Sequence, residues 1–271
     1  MAIINRKPRN SSLRTQQFLS FEDVTKKNPE KSLVLPLSSS GGRNAYGRIT
    51  VRHRGGGAKR KYRIIDFKRS QVDIPGQVEA FEYDPNRNVF IALIFYKNGA
   101  KGYILKPDGL NIGDAILSGS KAEPRVGNCL PIRKIPVGFF IHNVEISPGR
   151  GGKFARSAGC AVQLLAKEGD LAILKMPSGE TRTVGLDNRA TVGSLSNADW
   201  KNVTIGKAGR TRRMGIRPTV RGMAMNPIDH PHGGGEGRSK SGSHPVTPWG
   251  KCTKGARTRK RKSFAILKRR K

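Results

Sequence analysis

Apolar positions along the chain fall in short runs separated by turn residues. The longest uninterrupted run, Val89–Tyr96, spans eight residues. Lys97-Asn98-Gly99-Ala100 follows it, and then the strand-like stretch Lys101–Leu105. Asn-Gly between two such runs predicts a β-hairpin with a type I′ turn, which needs positive φ at both central residues. Phe139–Ile146 predicts a further strand. Leu171–Met176, the turn Pro177-Ser178-Gly179-Glu180 and Thr181–Val184 predict a second hairpin. Turn signals recur at Asp84-Pro85-Asn86, Pro107-Asp108-Gly109 and Ser147-Pro148-Gly149. Short strands at this spacing predict small sandwiches or barrels. Pro and Gly interrupt the pattern near Ala122–Pro131 and suggest a boundary between two units there. No long helix is expected; Ser196–Asn202, with Ser196 as N-cap, suits one or two helical turns.

Charge divides the chain differently. Residues 1–70 carry 17 Lys and Arg against 4 Asp and Glu, residues 71–200 carry 15 against 13, and residues 201–271 carry 20 against 2. The whole chain has a formal charge of +33. A compact protein alone in water would repel itself at that charge. The excess implies a polyanion, and basic clusters with a pI near 11 point to nucleic acid. A membrane surface is a poorer fit, because the chain shows neither an amphipathic helix nor a lipid-anchor signal. An apolar signal-peptide core is also missing, and the acid-free first twenty residues read as a basic arm. The near-neutral middle is expected to fold by itself. The C-terminal flank, with eleven Gly and few apolar residues, is expected to be extended and ordered by what it touches.

Four stretches carry candidate chemistry. The first is Arg52-His53-Arg54-Gly55-Gly56-Gly57-Ala58-Lys59-Arg60-Lys61, where cations can contact phosphates and Gly lets a backbone come close. The second, between two strands, is Ser147–Arg156. Its Arg150, Lys153 and Arg156 together with backbone N–H groups could hold phosphates. It is not a nucleotide loop, since neither GxxxxGK[ST] nor GxGxxG occurs in the chain. The third runs from Arg217 through Arg221, Asn226, Asp229, His230 and His232 to Arg238. An enzyme would use His230 as a base oriented by Asp229, but sequence neighbours rarely face one another in that way. A metal site would use His230 and His232 with His244 or Cys252, a spacing that matches no common site. A rigid RNA-contacting loop is the better reading. The fourth is the tail around Lys254, Arg257, Arg259, Lys260 and Arg261, preceded by Trp249, whose flat ring could take a base. Three cysteines, Cys129, Cys160 and Cys252, are an odd count without CxxC spacing and suggest neither disulfides nor zinc. No cofactor is expected.

These stretches are also where the chain resembles a known family. Arg217-Pro218-Thr219-Val220-Arg221-Gly222, Met225–Gly237 and His244-Pro245-Val246-Thr247-Pro248-Trp249-Gly250 look like the signature of ribosomal protein L2 of the large subunit, in its bacterial or organellar form. Gly41–Asn44, Arg54–Gly57, Tyr62–Arg69, Glu82–Arg87, His142–Glu145 and Ala155–Gly159 match in order over nearly the whole chain. Arg213 stands where an aromatic is expected, and Phe139-Phe140 where many members are smaller and more polar. The resemblance implies an all-β fold, an OB-like barrel over 71–125 followed by an SH3-like barrel over 126–200. Irregular basic extensions, 1–70 running into the first strands and 201–271, flank them. It also implies a non-enzymatic, primary rRNA binder that supports subunit association and the surroundings of the peptidyl-transferase centre, with His230 in the loop nearest that centre. Expected partners are large-subunit rRNA, neighbouring ribosomal proteins and the small subunit, in a cytoplasmic or organellar ribosome and away from membranes. With Lys68, Arg69, Lys207, Arg210, Arg212, Arg213 and Lys251 added, the stretches above make up the expected RNA-contacting set.

Overall fold

In this computed structural model, which describes residues 3–237, 242–255, 259, 261 and 263–269, regular structure is mostly short antiparallel strands. β1 (Ile3–Asn5) pairs with β2 (Gln17–Leu19), and β3 (Val34–Pro36) with β4 (Lys61–Arg63). β5 (Gly76–Glu82), β6 (Ile91–Tyr96), β7 (Lys101–Leu105) and β8 (Ala115–Ile116) form a four-stranded sheet in the order β7-β6-β5-β8. β9 (Cys129–Pro131) and β10 (Phe140–His142) precede a small ribbon of β11 (Val144–Glu145) and β12 (Gly152–Phe154). β13 (Val162–Glu168), β14 (Leu171–Lys175), β15 (Thr181–Gly185), β16 (Arg189–Val192) and β17 (Ile266–Lys268) complete a seven-stranded sheet, ordered β17-β15-β14-β13-β10-β16-β9. The architecture is all-β, an OB-like sheet followed by an SH3-like one.

The long apolar run splits between two cores because side chains alternate along a strand. Ala92 and Ile94 of β6 pack with Val78, Phe81 and Ile104 on one face. Ile91 and Leu93 pack on the other with Ile65, Tyr103 and Leu195. A strand covered on both faces reads as a continuous apolar run. A third core, with Leu130, Ile141, Leu164 and Leu174, fills the SH3-like sheet. The middle therefore draws on residues outside 71–200, Ile65 in the core and β17 at the sheet edge.

Both hairpins form, but the Asn-Gly turn is not type I′. Only Gly99 in that loop has positive φ, and the Tyr96 N–H reaches across it to the Ala100 carbonyl at 2.9 Å. The loop thus has three residues, with a left-handed glycine last. Met176 and Glu180 close the second hairpin in the same way, with Gly179 at positive φ. The strand expected over Phe139–Ile146 is two short strands broken at Asn143, whose φ is 49° and whose side chain donates to the Phe67 carbonyl. The helical turn near residue 200 is a 3-10 turn, Ala198–Asn202, and Asn197 rather than Ser196 stands before it. The C-terminal flank is not irregular throughout, since β17 adds to the edge of β15.

The chain divides into two units. One comprises Met1–Ser38, Lys59–Lys207 and Phe264–Lys271 and holds both sheets. The other comprises Ser39–Ala58 and Ala208–Ser263. Its only α-helix among the described residues is the short α1 (Ala208–Arg213), and His230 is its only buried residue among them. An apolar core is missing from that second unit among the described residues, so its loops are held by backbone hydrogen bonds and a few rings.

Candidate nucleic-acid interface

In the second unit, two basic stretches more than 150 residues apart in sequence lie side by side. The Arg217 N–H donates to the His53 carbonyl at 3.0 Å, Gly55 N–H to Gly215 at 3.0 Å, and Ala58 N–H to Arg213 at 3.0 Å. Arg54 and Ile216 form the bridge between them. The approach is close. Gly57 has a φ of 95°, and a Cβ there would lie 3.0 Å from the Gly215 Cα. The glycine at 57 therefore admits the chain's own backbone. The pairing leaves Arg52, Arg54, Arg213 and Arg217 exposed together. Arg212 is partly retained by the fold, donating to the Ile216 carbonyl at 3.2 Å. The Arg52 guanidinium stands 5.6 Å from the Trp249 ring centre, and 74% of Trp249 is exposed. A cation beside an open aromatic face is a suitable platform for a phosphate and its base.

The first unit carries a second cationic surface. Lys68, Arg150, Lys153 and Arg156 line one cleft of about 530 Å³ around Phe67. The Arg156 guanidinium sits 4.4 Å from the Phe67 ring centre. On the same ring, at 5.7 Å, stands Arg87, which sequence reasoning left out of the contact set. Its ion pair with the buried Asp84, three residues earlier, holds it there. The Gly-rich loop itself works differently from expectation. Buried Glu145 accepts the N–H groups of Gly149, Gly151 and Arg189, at 3.3, 3.0 and 3.0 Å. Those loop amides are occupied, and Arg150, Lys153 and Arg156 are the exposed cations of this stretch. Arg69 is a correction of another kind. It is 2% exposed and donates to the Gly127 carbonyl at 3.0 Å, because the chain turns inward there at a φ of 53°.

His230 is likewise turned inward. A Cβ on Gly222 would fall 2.5 Å from the ring, so a glycine is required beneath it. Its Nδ1 accepts the His232 N–H at 3.0 Å, and His232 Nε2 accepts the Val246 N–H at 2.9 Å. The two rings pack 5.2 Å apart at 30°. Both imidazoles act as acceptors that tie loop segments together, and no hydrogen bond joins Asp229 to His230 through their side chains. The Asn226 carbonyl accepts the N–H groups of Asp229 and His230. Among the described residues, no group of three or more His, Cys, Asp and Glu is placed to hold a metal ion.

The remaining candidates scatter. Lys59, Arg60 and Lys61 belong to the first unit and line a groove with Val34, Leu35 and Leu37. Lys207, Arg221, Lys251, Lys254, Arg259 and Arg261 are exposed, and Arg210 is half-buried. Arg238, Arg257 and Lys260 lie outside the described residues.

Two family models match the chain. Residues 30–118 match the RNA-binding N-terminal domain of ribosomal proteins L2, and residues 125–250 match their C-terminal domain. The first match contains the four-stranded sheet, with Lys68 and Arg87. The second contains β9 to β16, the Arg213–Arg217 pairing segment and Trp249. With both domains present in order, the chain belongs to the ribosomal protein L2 family, the RNA-binding structural proteins of the large ribosomal subunit.

Proposed function

We propose that this chain is a primary binder of large-subunit rRNA that supports subunit association and the architecture around the peptidyl-transferase centre, without taking part in catalysis. The observation that carries this reading is the backbone pairing of His53–Ala58 with Arg213–Arg217. It brings the exposed Arg52, Arg54, Arg213 and Arg217 onto neighbouring segments, with Arg52 beside Trp249. Such a surface contacts phosphate backbones and stacks unpaired bases, as structured RNA offers. The Phe67 cleft, with Lys68, Arg150, Lys153 and Arg156, adds a second contact on the sheet-bearing unit. The partners are large-subunit rRNA, adjacent ribosomal proteins and the small subunit, in a cytoplasmic ribosome. His230 serves this role by shaping its loop. Its acceptor bond to the His232 N–H and its packing over Gly222 support a structural part.

The test is binding of the full chain to protein-free large-subunit rRNA, with duplex DNA of equal length as competitor. A primary binder protects a defined rRNA region at nanomolar protein and keeps it against excess DNA. Binding that needs other ribosomal proteins first, or that DNA displaces equally well, would remove the proposal.

A further inference from the structure

Lys and Arg make up 52 of the 271 residues, yet one cleft in the sheet-bearing unit is lined by none. It has a volume of about 540 Å³ and opens beside the start of β10. Its walls are Phe139, Phe140 and Val126, which are 39%, 54% and 41% exposed, and Val192 is buried at its base. Asp108 is the only charged residue of the lining, and its carboxylate makes no hydrogen bond or ion pair among the described residues. The cleft is formed by the fold. The Gly193 N–H donates to the Phe140 carbonyl at 2.8 Å, and the Asp108 N–H to Ser194 at 2.8 Å.

An RNA strand is a poor occupant. A base could stack on Phe140, but its phosphates would meet a carboxylate with no cation in the lining to neutralise them. A polypeptide carrying an aliphatic or aromatic side chain next to a Lys or Arg satisfies both features. The apolar group covers the Phe and Val walls, and the cation pairs with Asp108. Proteins that share an RNA particle carry basic segments for the electrostatic reason this chain does. We propose that the Asp108–Phe140 cleft docks an apolar, basic segment of a neighbouring protein. This surface is distinct from the cationic ones and does not depend on which rRNA region they contact.

The test places a photo-crosslinking benzoylphenylalanine at Phe140 of the full chain, and separately at Val126, in purified large subunits shown by mass spectrometry to contain it. The expected product is a crosslink to a polypeptide, within a few residues of a Lys or Arg. Its yield falls by about tenfold or more when Asp108→Lys is added, because like charges then face each other. Crosslinks to rRNA, no crosslink from either position, or a yield indifferent to Asp108→Lys would each overturn the proposal. Failure of the chain to enter large subunits would instead count against the family role and is read separately by the mass spectrometry.

Discussion

The Glu145 carboxylate holds the Gly151 N–H at 3.0 Å, and through its other oxygen it holds Arg189 N–H at 3.0 Å as well. One buried anion thereby joins the Gly-rich loop to β16, and this bond sets where Arg150 and Lys153 stand. Hydrogen bonds to a charged acceptor contribute about 1.5–3 kcal/mol each. Glu145→Gln keeps the shape but turns an N–H₂ toward a backbone donor. We expect it to destabilise the full chain by about 3 kcal/mol in urea unfolding. A cost under about 0.5 kcal/mol would show that the loop does not depend on this carboxylate.

His142 gives the fold a pH dependence of its own. Burial, with a smaller contribution from the Arg69 charge, brings its imidazole down to about 4, against a raising effect from its hydrogen bond to the Gly193 carbonyl. The unfolded chain takes up this proton near pH 6.5, the folded one only near 4. Above pH 6.5 the ring is neutral in both states and has no effect. Between 6.5 and 4 the unfolded state binds more protons, so stability falls as pH falls. The loss amounts to about 3 kcal/mol at full extent. His142→Asn keeps a donor toward Gly193 and should show that much less acid destabilisation between pH 7 and 4. Parallel stability profiles for the two proteins would refute this.

His230 invites a catalytic reading, and its surroundings argue against one. It is the buried centre of a unit without an apolar core among its described residues, and its Nδ1 already accepts a backbone N–H. A general base contributes about 10²–10⁴-fold to a rate. His230→Gln should leave single-turnover peptidyl transfer within about tenfold of wild type in particles checked to contain the variant, below that range. Gly222→Ala, which drives a methyl into the ring, should disturb the same loop and weaken incorporation. A thousandfold loss of rate in intact particles with His230→Gln would restore the catalytic reading.

Local signals in the sequence were legible and non-local ones were not. β7 follows the expected bounds because a hairpin turn and an apolar run define it within a few residues. Its turn type did not follow, since Asn98 uses its side chain to accept the Ala100 N–H and leaves positive φ to Gly99 alone. The break at Asn143 depends on the Phe67 carbonyl 76 residues away, and no periodicity reports that. A charge run likewise cannot separate exposed Lys68 from buried Arg69. The basic stretches were visible, but their pairing was not, because the need for glycine at position 57 comes from the backbone of Arg213 and Gly215, more than 150 residues away.

The central claim is that paired basic segments carry much of the RNA affinity. It is tested most directly by the salt dependence of rRNA binding in the full chain. Arg52, Arg54, Arg213 and Arg217 are exposed on the paired segments, while Lys97, Lys121, Arg125 and Lys175 are exposed on the sheet-bearing unit. Replacing either set by Gln removes the same charge. Each lost phosphate contact lowers the slope of log K against log salt by about 0.7–0.9. The first set should lower it by about 3, and the second by less than about 1. Equal changes for the two sets would mean that net charge alone drives binding and would contradict the interface described here.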